Sequence, residues 1–224
     1  QYRGKSLPLV QLSDAVNTGD VPLEKELVVI VTRVSNREIG LLGLMPVSVE
    51  ERSFVVDSIH RQPGISGSMI LDGKTVMMID IFEIIDKVYP EWKTEIKRDD
   101  KTDGTTVLLA EDSDFFREQV TKYLNDGGYK VIVASDGMEA WEKLQKHKDE
   151  VKLVVTDIEM PVMNGVELCR KIRADKLFSS LPVIALTSLA GDEDREKGLA
   201  AGITDYQVKL DRDRLNQGIK RLLS

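Results

Sequence analysis

The sequence predicts two domains: a strand-rich domain and, after it, an α/β domain built on a doubly wound, five-stranded parallel sheet. Short β-branched runs separated by turn signals dominate residues 1–94, whereas strands and helices alternate five times after residue 105. A chain of 224 residues with 42% hydrophobic residues is long and apolar enough for two cores. We therefore predict one domain at 1–94, a charged linker at 95–104 and a second domain at 105–224.

Composition argues against several classes of function. The net charge of −7 opposes binding to nucleic acid, because a phosphate backbone would be repelled. No apolar run is long enough to span a bilayer. The single cysteine, Cys169, excludes an internal disulfide and fits a reducing compartment. We expect a cytoplasmic protein that binds no nucleic acid and does not insert into a membrane.

The first domain is predicted to contain two hairpins and one helix. Asp72 and Gly73 separate two strand-like runs, and this pair tolerates the positive φ angles of a tight primed turn. Apolar residues then recur at helical spacing until Pro90, which stops the pattern. The predicted elements are strands 27–34 and 39–45, strands 68–71 and 75–80, and helix 81–88. Several short strands without long helices between them indicate a small barrel or sandwich.

The second domain is predicted to contain five strands with helices between them. Asp136 with Glu139, and Asn164 with Glu167, have the spacing of a capping box at the start of two helices. A last helix, which begins near Asp211, repeats apolar residues and would close the sheet. The predicted strands are 106–110, 130–134, 151–156, 181–186 and 206–208.

Chemistry-bearing residues follow four of these strands. Asp157 is the most informative, because it ends an apolar run and precedes Met160 and Pro161, which break the pattern. In an open parallel sheet, ligands bind beyond the carboxyl ends of the strands, so these residues are expected at one edge. They are Glu111, Asp112, Asp157, Thr187 and Lys209. Taken alone, Asp157 is also consistent with an ordinary acid in a surface loop. Several acids clustered at one edge are not explained in this way, because they would repel one another.

A divalent cation would relieve that repulsion. Mg²⁺ prefers oxygen ligands and keeps several waters, so Asp112, together with Glu111 through a water, is predicted to hold the metal. Asp157 is the predicted nucleophile, since a carboxylate can attack phosphorus and form an acyl phosphate. Lys209 would pair with one phosphoryl oxygen, and the hydroxyl of Thr187 would donate a hydrogen bond to another.

Three stretches of the first domain, 3–12, 64–73 and 79–81, carry a resemblance to a known family. Residues 1–90 resemble a CheW-like domain, which is found in chemotaxis coupling proteins and in the regulatory domain of chemotaxis histidine kinases. Members of the family have more strands before this stretch, so the resemblance implies a partial CheW-like barrel. It also implies an adaptor role, with CheW-type adaptors and chemoreceptors as partners in an array.

Residues 105–223 closely resemble the receiver domain of response regulators, the CheY-like family with a flavodoxin-like fold. The resemblance rests on Glu111 and Asp112, Asp157 with Met160, Pro161 and Gly165, Thr187, and Lys209. It implies that Asp157 accepts a phosphoryl group from the phosphohistidine of a histidine kinase, in cis or in trans.

The same resemblance implies roles for residues around this set. The backbone carbonyl of Glu159 would complete the Mg²⁺ shell, in which Asp157 also takes part. Tyr206 matches the aromatic switch of the family, which turns inward when the threonine moves toward the phosphoryl group. Glu159 is further expected to alter the lifetime of the phosphorylated state. Leu210 departs from the family, which usually has a proline after its lysine.

Three interpretations of the whole chain follow. A CheW-like domain fused to a receiver resembles the C-terminal part of a hybrid chemotaxis histidine kinase of the CheA type, with the kinase core upstream of Gln1. A CheV-type coupling protein is built of the same two domains and is the alternative. The third is a Mg²⁺-dependent phosphatase that forms a phosphoaspartate. That class carries its nucleophile as DxD after the first strand, whereas Asp157 and Glu159 follow the third strand here.

Overall fold

The structure is a computed structural model that describes residues 3–4, 6–34, 37–48, 56–92, 104–187, 196, 198–209 and 211–224. The chain divides into two compact units, Gln1–Glu95 and Ile96–Ser224. Apart from Gly104, the predicted linker 95–104 lies outside the described residues. Within the described ranges, none of the helices has the length and apolar character that crossing a membrane requires.

The first unit contains a three-stranded and a two-stranded sheet among its described residues. Its strands are β1 (Leu9–Val10), β2 (Leu27–Val34), β3 (Arg37–Leu44), β4 (Ile65–Leu71) and β5 (Lys74–Ile79). The larger sheet has the order β1-β3-β2, with β1 parallel and β2 antiparallel to β3. β4 and β5 form an antiparallel pair. Both predicted strand pairings are confirmed, although residues 35 and 36, between β2 and β3, lie outside the described residues.

The turn between β4 and β5 has the geometry that its residues predict. Asp72 and Gly73 have φ angles of 48° and 73°, which lie in the left-handed region that these residues tolerate. Helix α1 (Ile81–Val88) begins shortly afterwards, as predicted. The side chain of Asp80 caps this helix by accepting hydrogen bonds from two backbone N–H groups of the first turn, each at 3.0 Å.

The second unit is built on a parallel five-stranded sheet. Its strands are β6 (Thr106–Ala110), β7 (Lys130–Ala134), β8 (Val151–Asp157), β9 (Val183–Thr187) and β10 (Asp205–Val208). They lie in the order β10-β9-β8-β6-β7, and all neighbours are parallel. The chain passes from β6 to β7 on one side and then to β8 on the other side. The switch point, where such sheets bind ligands, therefore lies beyond the carboxyl ends of β6 and β8.

Helices cover both faces of this sheet. Four of them lie wholly within the described residues: α2 (Asp114–Asp126), α3 (Gly137–Lys146), α4 (Gly165–Ala174) and α5 (Arg212–Leu223). Residues 198–200 are also helical. Leu108 of β6 lies in an apolar cluster with residues of α3 and α4, whereas Leu109 lies in a second cluster with residues of α2 and α5. Successive strand residues point to opposite faces, so one apolar run supplies both cores. Residues 188–195 and 197 lie outside the described part of the chain.

One of the two predicted capping boxes forms and the other does not. Asn164 accepts from the N–H of Glu167 at 2.9 Å, and the Glu167 carboxylate accepts from the N–H of Asn164 at 3.1 Å. Asp136 does cap α3, but the Glu139 carboxylate turns away from it.

At α3, Glu139 Oε2 accepts from the N–H and the hydroxyl of Ser135, each at 2.7 Å. Its other oxygen, Oε1, accepts from Lys143 at 2.6 Å. The predicted box at Asp136 is therefore wrong, because a lysine one turn along the helix and the serine before the cap engage both carboxylate oxygens of Glu139. These bonds hold the pKa of Glu139 at about 2, with the bond to Lys143 as the largest cause.

Candidate functional site

The carboxyl ends of four neighbouring strands place the predicted residues along one edge of the parallel sheet. Asp157 and Thr187 are the last residues of β8 and β9. Glu111 and Asp112 follow directly after β6, and Lys209 follows directly after β10. The four strands are neighbours in the sheet, which is why Glu111 and Lys209 meet although 98 positions separate them.

Lys209 lies between two buried acids. Its Nζ donates to Asp157 Oδ2 at 2.8 Å and to Glu111 Oε1 at 3.2 Å, and it is 3.0 Å from Glu111 Oε2. The exposed fractions of the side chains are 10% for Lys209, 9% for Asp157 and 0% for Glu111. Water and salt therefore screen these charges only weakly. The structure brings three of the predicted residues together as a buried ionic cluster.

The acids of this cluster have the donor set that a divalent cation requires. Carboxylate oxygens of Glu111, Asp112 and Asp157 all lie within 4.8 Å of one another. Asp112 is exposed, so the group is open to solvent on its side. Glu111 Oε2 is buried and accepts no hydrogen bond from the described residues. The ammonium of Lys209, 3.0 Å away, stabilises this oxygen through its charge but does not donate a hydrogen bond to it. A buried carboxylate oxygen in this position fits a hard cation such as Mg²⁺.

Burial controls the ionisation of the cluster. It raises the pKa of Glu111 to about 7, and the charge of Asp157 adds to this effect while Lys209 opposes it. Burial also raises the pKa of Asp157, again against the influence of Lys209. For Lys209, burial lowers the pKa, but the two acids together outweigh it and the pKa is raised. Without a cation, the ionisation of Glu111 therefore falls in the neutral pH range.

The backbone after β8 holds the carboxylate of Asp157 in place. The N–H of Ile158 donates to Asp157 Oδ1 at 2.7 Å, while Oδ2 accepts from Lys209. The N–H of Gly165, at the start of α4, donates to the carbonyl of Ile158 at 3.0 Å. A side chain at position 165 would collide with the backbone carbonyl of Asp157. Glycine is therefore needed for α4 to begin this close to the acid.

Two residues of α2 contribute to the site although they do not end a strand. Arg117 Nη1 donates to the backbone carbonyls of Glu111 at 2.9 Å and Asp112 at 3.1 Å, which ties the acidic loop to the helix. Phe116 places its ring centroid 4.6 Å from Lys209 Nζ. A basic residue one helical turn after an acidic strand end is a signal that could have indicated Arg117. No sequence pattern indicates the contact of Phe116.

The remaining predicted residues border the cluster. The N–H of Lys209 donates to the carbonyl of Thr187 at 2.8 Å, so β9 and β10 hold these two residues side by side. Tyr206 lies on the edge strand β10, where it is half-buried and packs against the cluster that contains Leu108. Glu159 is exposed and lines, with Asp112, a groove of about 650 Å³. Leu210 lies outside the described residues.

Two families match the chain, one on each unit. Residues 107–220 match the response regulator receiver domain, which is about half of the chain. Residues 1–88 match the CheW-like domain. The CheW-like match falls on the strand-rich first unit, and the receiver match falls on the second unit, which contains the parallel sheet.

Curated relatives include proteins with the receiver alone and proteins with both domains. The chemotaxis protein CheY1 of Helicobacter pylori is 39% identical over 46% of this chain and 83% of that protein. The chemotaxis protein CheV3 of Helicobacter pylori is 26% identical over 97% of this chain and 76% of that protein. The sensor histidine kinase CheAY of the same species is 27% identical over 93% of this chain and 28% of that protein.

The fold of the second unit also has solved counterparts. The receiver domain of a sensor histidine kinase from Pseudomonas aeruginosa PAO1, solved with a magnesium ion coordinated in its active site cleft, is 31% identical. Its TM-score is 0.50, and the match covers 54% of this chain and 98% of that one. The chain therefore belongs to the response regulator receiver family, within a chemotaxis signalling protein that carries a CheW-like domain ahead of its CheY-like receiver.

Proposed function

We propose that Asp157 accepts a phosphoryl group from a phosphohistidine, with Mg²⁺ held by the acidic cluster, and that this modification regulates chemotaxis signalling through the attached CheW-like domain. The observation that carries the proposal is the position of Lys209 Nζ, 2.8 Å from Asp157 Oδ2 and 3.0 Å from Glu111 Oε2. A lysine held against the acceptor carboxylate is placed to stabilise the charge of a transferring phosphoryl group.

In this mechanism a carboxylate oxygen of Asp157 attacks phosphorus. The new O–P bond forms as the N–P bond of the phosphohistidine breaks, and an acyl phosphate results. The ammonium of Lys209 moves from the Asp157 oxygen to a phosphoryl oxygen, and the Thr187 hydroxyl donates a hydrogen bond to another. Glu111, Asp112, Asp157 and the backbone carbonyl of Glu159 would hold Mg²⁺, which supplies positive charge to the phosphoryl group when bound.

Tyr206 is proposed to report the change to the rest of the receiver. Its half-buried side chain packs on the edge of the core, one strand away from Thr187. Movement of Thr187 toward a phosphoryl group would leave space that the ring can enter. Glu159, exposed in the groove beside Asp112, is proposed to alter the lifetime of the acyl phosphate through the access of water.

Two arrangements of the parent protein accommodate this function. A CheV-type coupling protein and a hybrid kinase of the CheA type both combine the two domains, and each has a relative that matches more than nine-tenths of the chain. In both, the CheW-like domain is proposed to dock with CheW-type adaptors and chemoreceptors at cytoplasmic arrays. The phosphodonor would be a histidine kinase domain, in cis or in trans. A kinase core encoded upstream in the full-length gene would decide for the second arrangement.

The proposal is tested by chemical labelling of the acceptor. With Mg²⁺ and a small-molecule phosphodonor, the wild-type protein should gain one acid-stable, base-labile phosphoryl group, detected by intact mass. Asp157→Asn should gain none, because the amide is not a nucleophile toward phosphorus. Asp149→Asn is the matched control: this exposed acid precedes the opposite end of β8, and its variant should label as the wild type does.

Equal labelling of Asp157→Asn and the wild type would refute the assignment of the acceptor. Sustained turnover of a phosphomonoester that depends on Asp157 would instead favour a Mg²⁺-dependent phosphatase.

A further inference from the structure

The ammonium of Lys209 has an aromatic neighbour in addition to its two acids. The centroid of the Phe116 ring lies 4.6 Å from Nζ, within the distance at which a cation is attracted to the face of a ring. The ring is half-buried and is held by an edge contact with Phe115, at 5.1 Å between centroids and 71° between planes. Phe115 is itself only 6% exposed, so its contact fixes the Phe116 ring to the core.

The Phe116 ring holds the ammonium of Lys209 in a different way from the two acids. Asp157 Oδ2 holds the ammonium through an oxygen of the proposed nucleophile, and Glu111 holds it through an oxygen of the proposed metal site. During the proposed transfer, the Asp157 carboxylate attacks phosphorus and the Glu111 carboxylate binds the metal, so neither acid serves the ammonium alone. An aromatic face attracts the cation without accepting a directed hydrogen bond, so the ammonium can turn to a new acceptor while it stays on the ring.

We propose that Phe116 is a positioning residue that keeps the ammonium of Lys209 in the crevice while it passes from Asp157 to the incoming phosphoryl group. The inference rests on the proposed function of Asp157 as the acceptor. Among the described residues, the two acids alone would hold the ammonium if the ring were absent, and one of these acids is consumed as the acyl phosphate forms. Lys209 would then spend less time in the position that stabilises the transfer.

The kinetic test compares side chains of similar size with and without a ring. Phe116→Leu should slow Mg²⁺-dependent labelling by a small-molecule phosphodonor about threefold to tenfold, the effect of losing one partly buried cation–π contact. Phe116→Tyr keeps the aromatic face and should label within about twofold of the wild type. Trp92→Leu is the matched control, because it removes a half-buried ring that lies 4.8 Å from Arg37 in the other unit. Its labelling rate should be unchanged.

A spectroscopic readout examines the contact directly and needs no phosphorylation. A ring face shifts the NMR signals of nearby methylene protons upfield. In the full chain, the Lys209 side-chain protons, assigned by their loss in Lys209→Arg, should be shifted upfield in the wild type and in Phe116→Tyr. The shift should be lost in Phe116→Leu and retained in Trp92→Leu.

The outcomes separate this inference from the proposed function. An unchanged labelling rate in Phe116→Leu would overturn the positioning role, and so would an equal loss in Phe116→Leu and Phe116→Tyr. A wild-type protein that does not label would refute the proposed function of Asp157. In that case the NMR shifts of Lys209 alone test the contact with Phe116, and shifts that are unaltered in Phe116→Leu would contradict it. Phe116→Met, which also lacks a ring, replaces the leucine variant if that variant does not fold.

Discussion

The ionisation of Glu111 links pH to the stability of the receiver. Burial raises its pKa from 4.5 to about 7, so between these values the folded protein binds a proton that the unfolded chain has released. The free energy of unfolding then falls as the pH rises through this window, and the loss is complete above the folded pKa. A shift of this size corresponds to about 3 kcal/mol in the metal-free protein.

We expect Glu111→Gln to remove this part of the pH dependence. The measurement is urea unfolding in the presence of a chelator at about pH 5 and about pH 8. The difference in the free energy of unfolding, variant minus wild type, should increase from the lower to the higher pH, because only the wild type loses the contribution of Glu111. Saturating Mg²⁺ should restore part of the wild-type stability at the higher pH, because it favours the carboxylate. Glu142→Gln, which changes an exposed acid on α3, should keep the wild-type dependence. Parallel curves for the wild type and Glu111→Gln would contradict the effect of burial.

Among the elements, the loop from β8 to α4 contains an unfavourable backbone conformation. Val162 has a φ angle of 64°, in the left-handed region that β-branched residues avoid, and the residue is 79% exposed. Little packing offsets this conformation. Val162→Gly should therefore raise the free energy of unfolding by about 1 kcal/mol.

Denaturant unfolding of two glycine variants measures this effect. Leu177→Gly is the control, since Leu177 is also exposed, at 63%, but is not among the residues with a positive φ angle. Glycine at that position should be neutral or destabilising, because it adds only freedom to the unfolded chain. A gain of the same size in both variants would show that backbone conformation is not the cause.

For the whole molecule, the receiver should be stable without the first unit. In the described part of the chain, the members of its two apolar clusters all lie between Val107 and Leu223, so these clusters are formed within the second unit. Residues 104–224 alone should unfold in a single cooperative transition. They should also label on Asp157 at the rate of the full chain with a small-molecule donor. A broad transition without cooperativity, measured by circular dichroism, would show that the receiver depends on the rest of the chain.

Much of the fold followed from local patterns. β6 and β7 have the predicted bounds, and β8, β9 and β10 differ from prediction by one or two residues at their ends. β6 to β9 are predominantly apolar runs of five to seven residues between turn signals, so each is specified by its own sequence. The polar residues at the strand ends could be placed along one edge for the same reason, since the strands of a parallel sheet end on the same side.

The sequence by itself determined which residues end the strands, because apolar periodicity and turn residues are properties of neighbours along the chain. Only the tertiary structure decided which groups these residues meet. Phe116 lies against Lys209, 93 positions further along the chain, and Glu111 meets the same lysine across 98 positions. Such contacts, and the pKa values that burial sets, depend on distances between segments remote in sequence, and no local pattern encodes those distances.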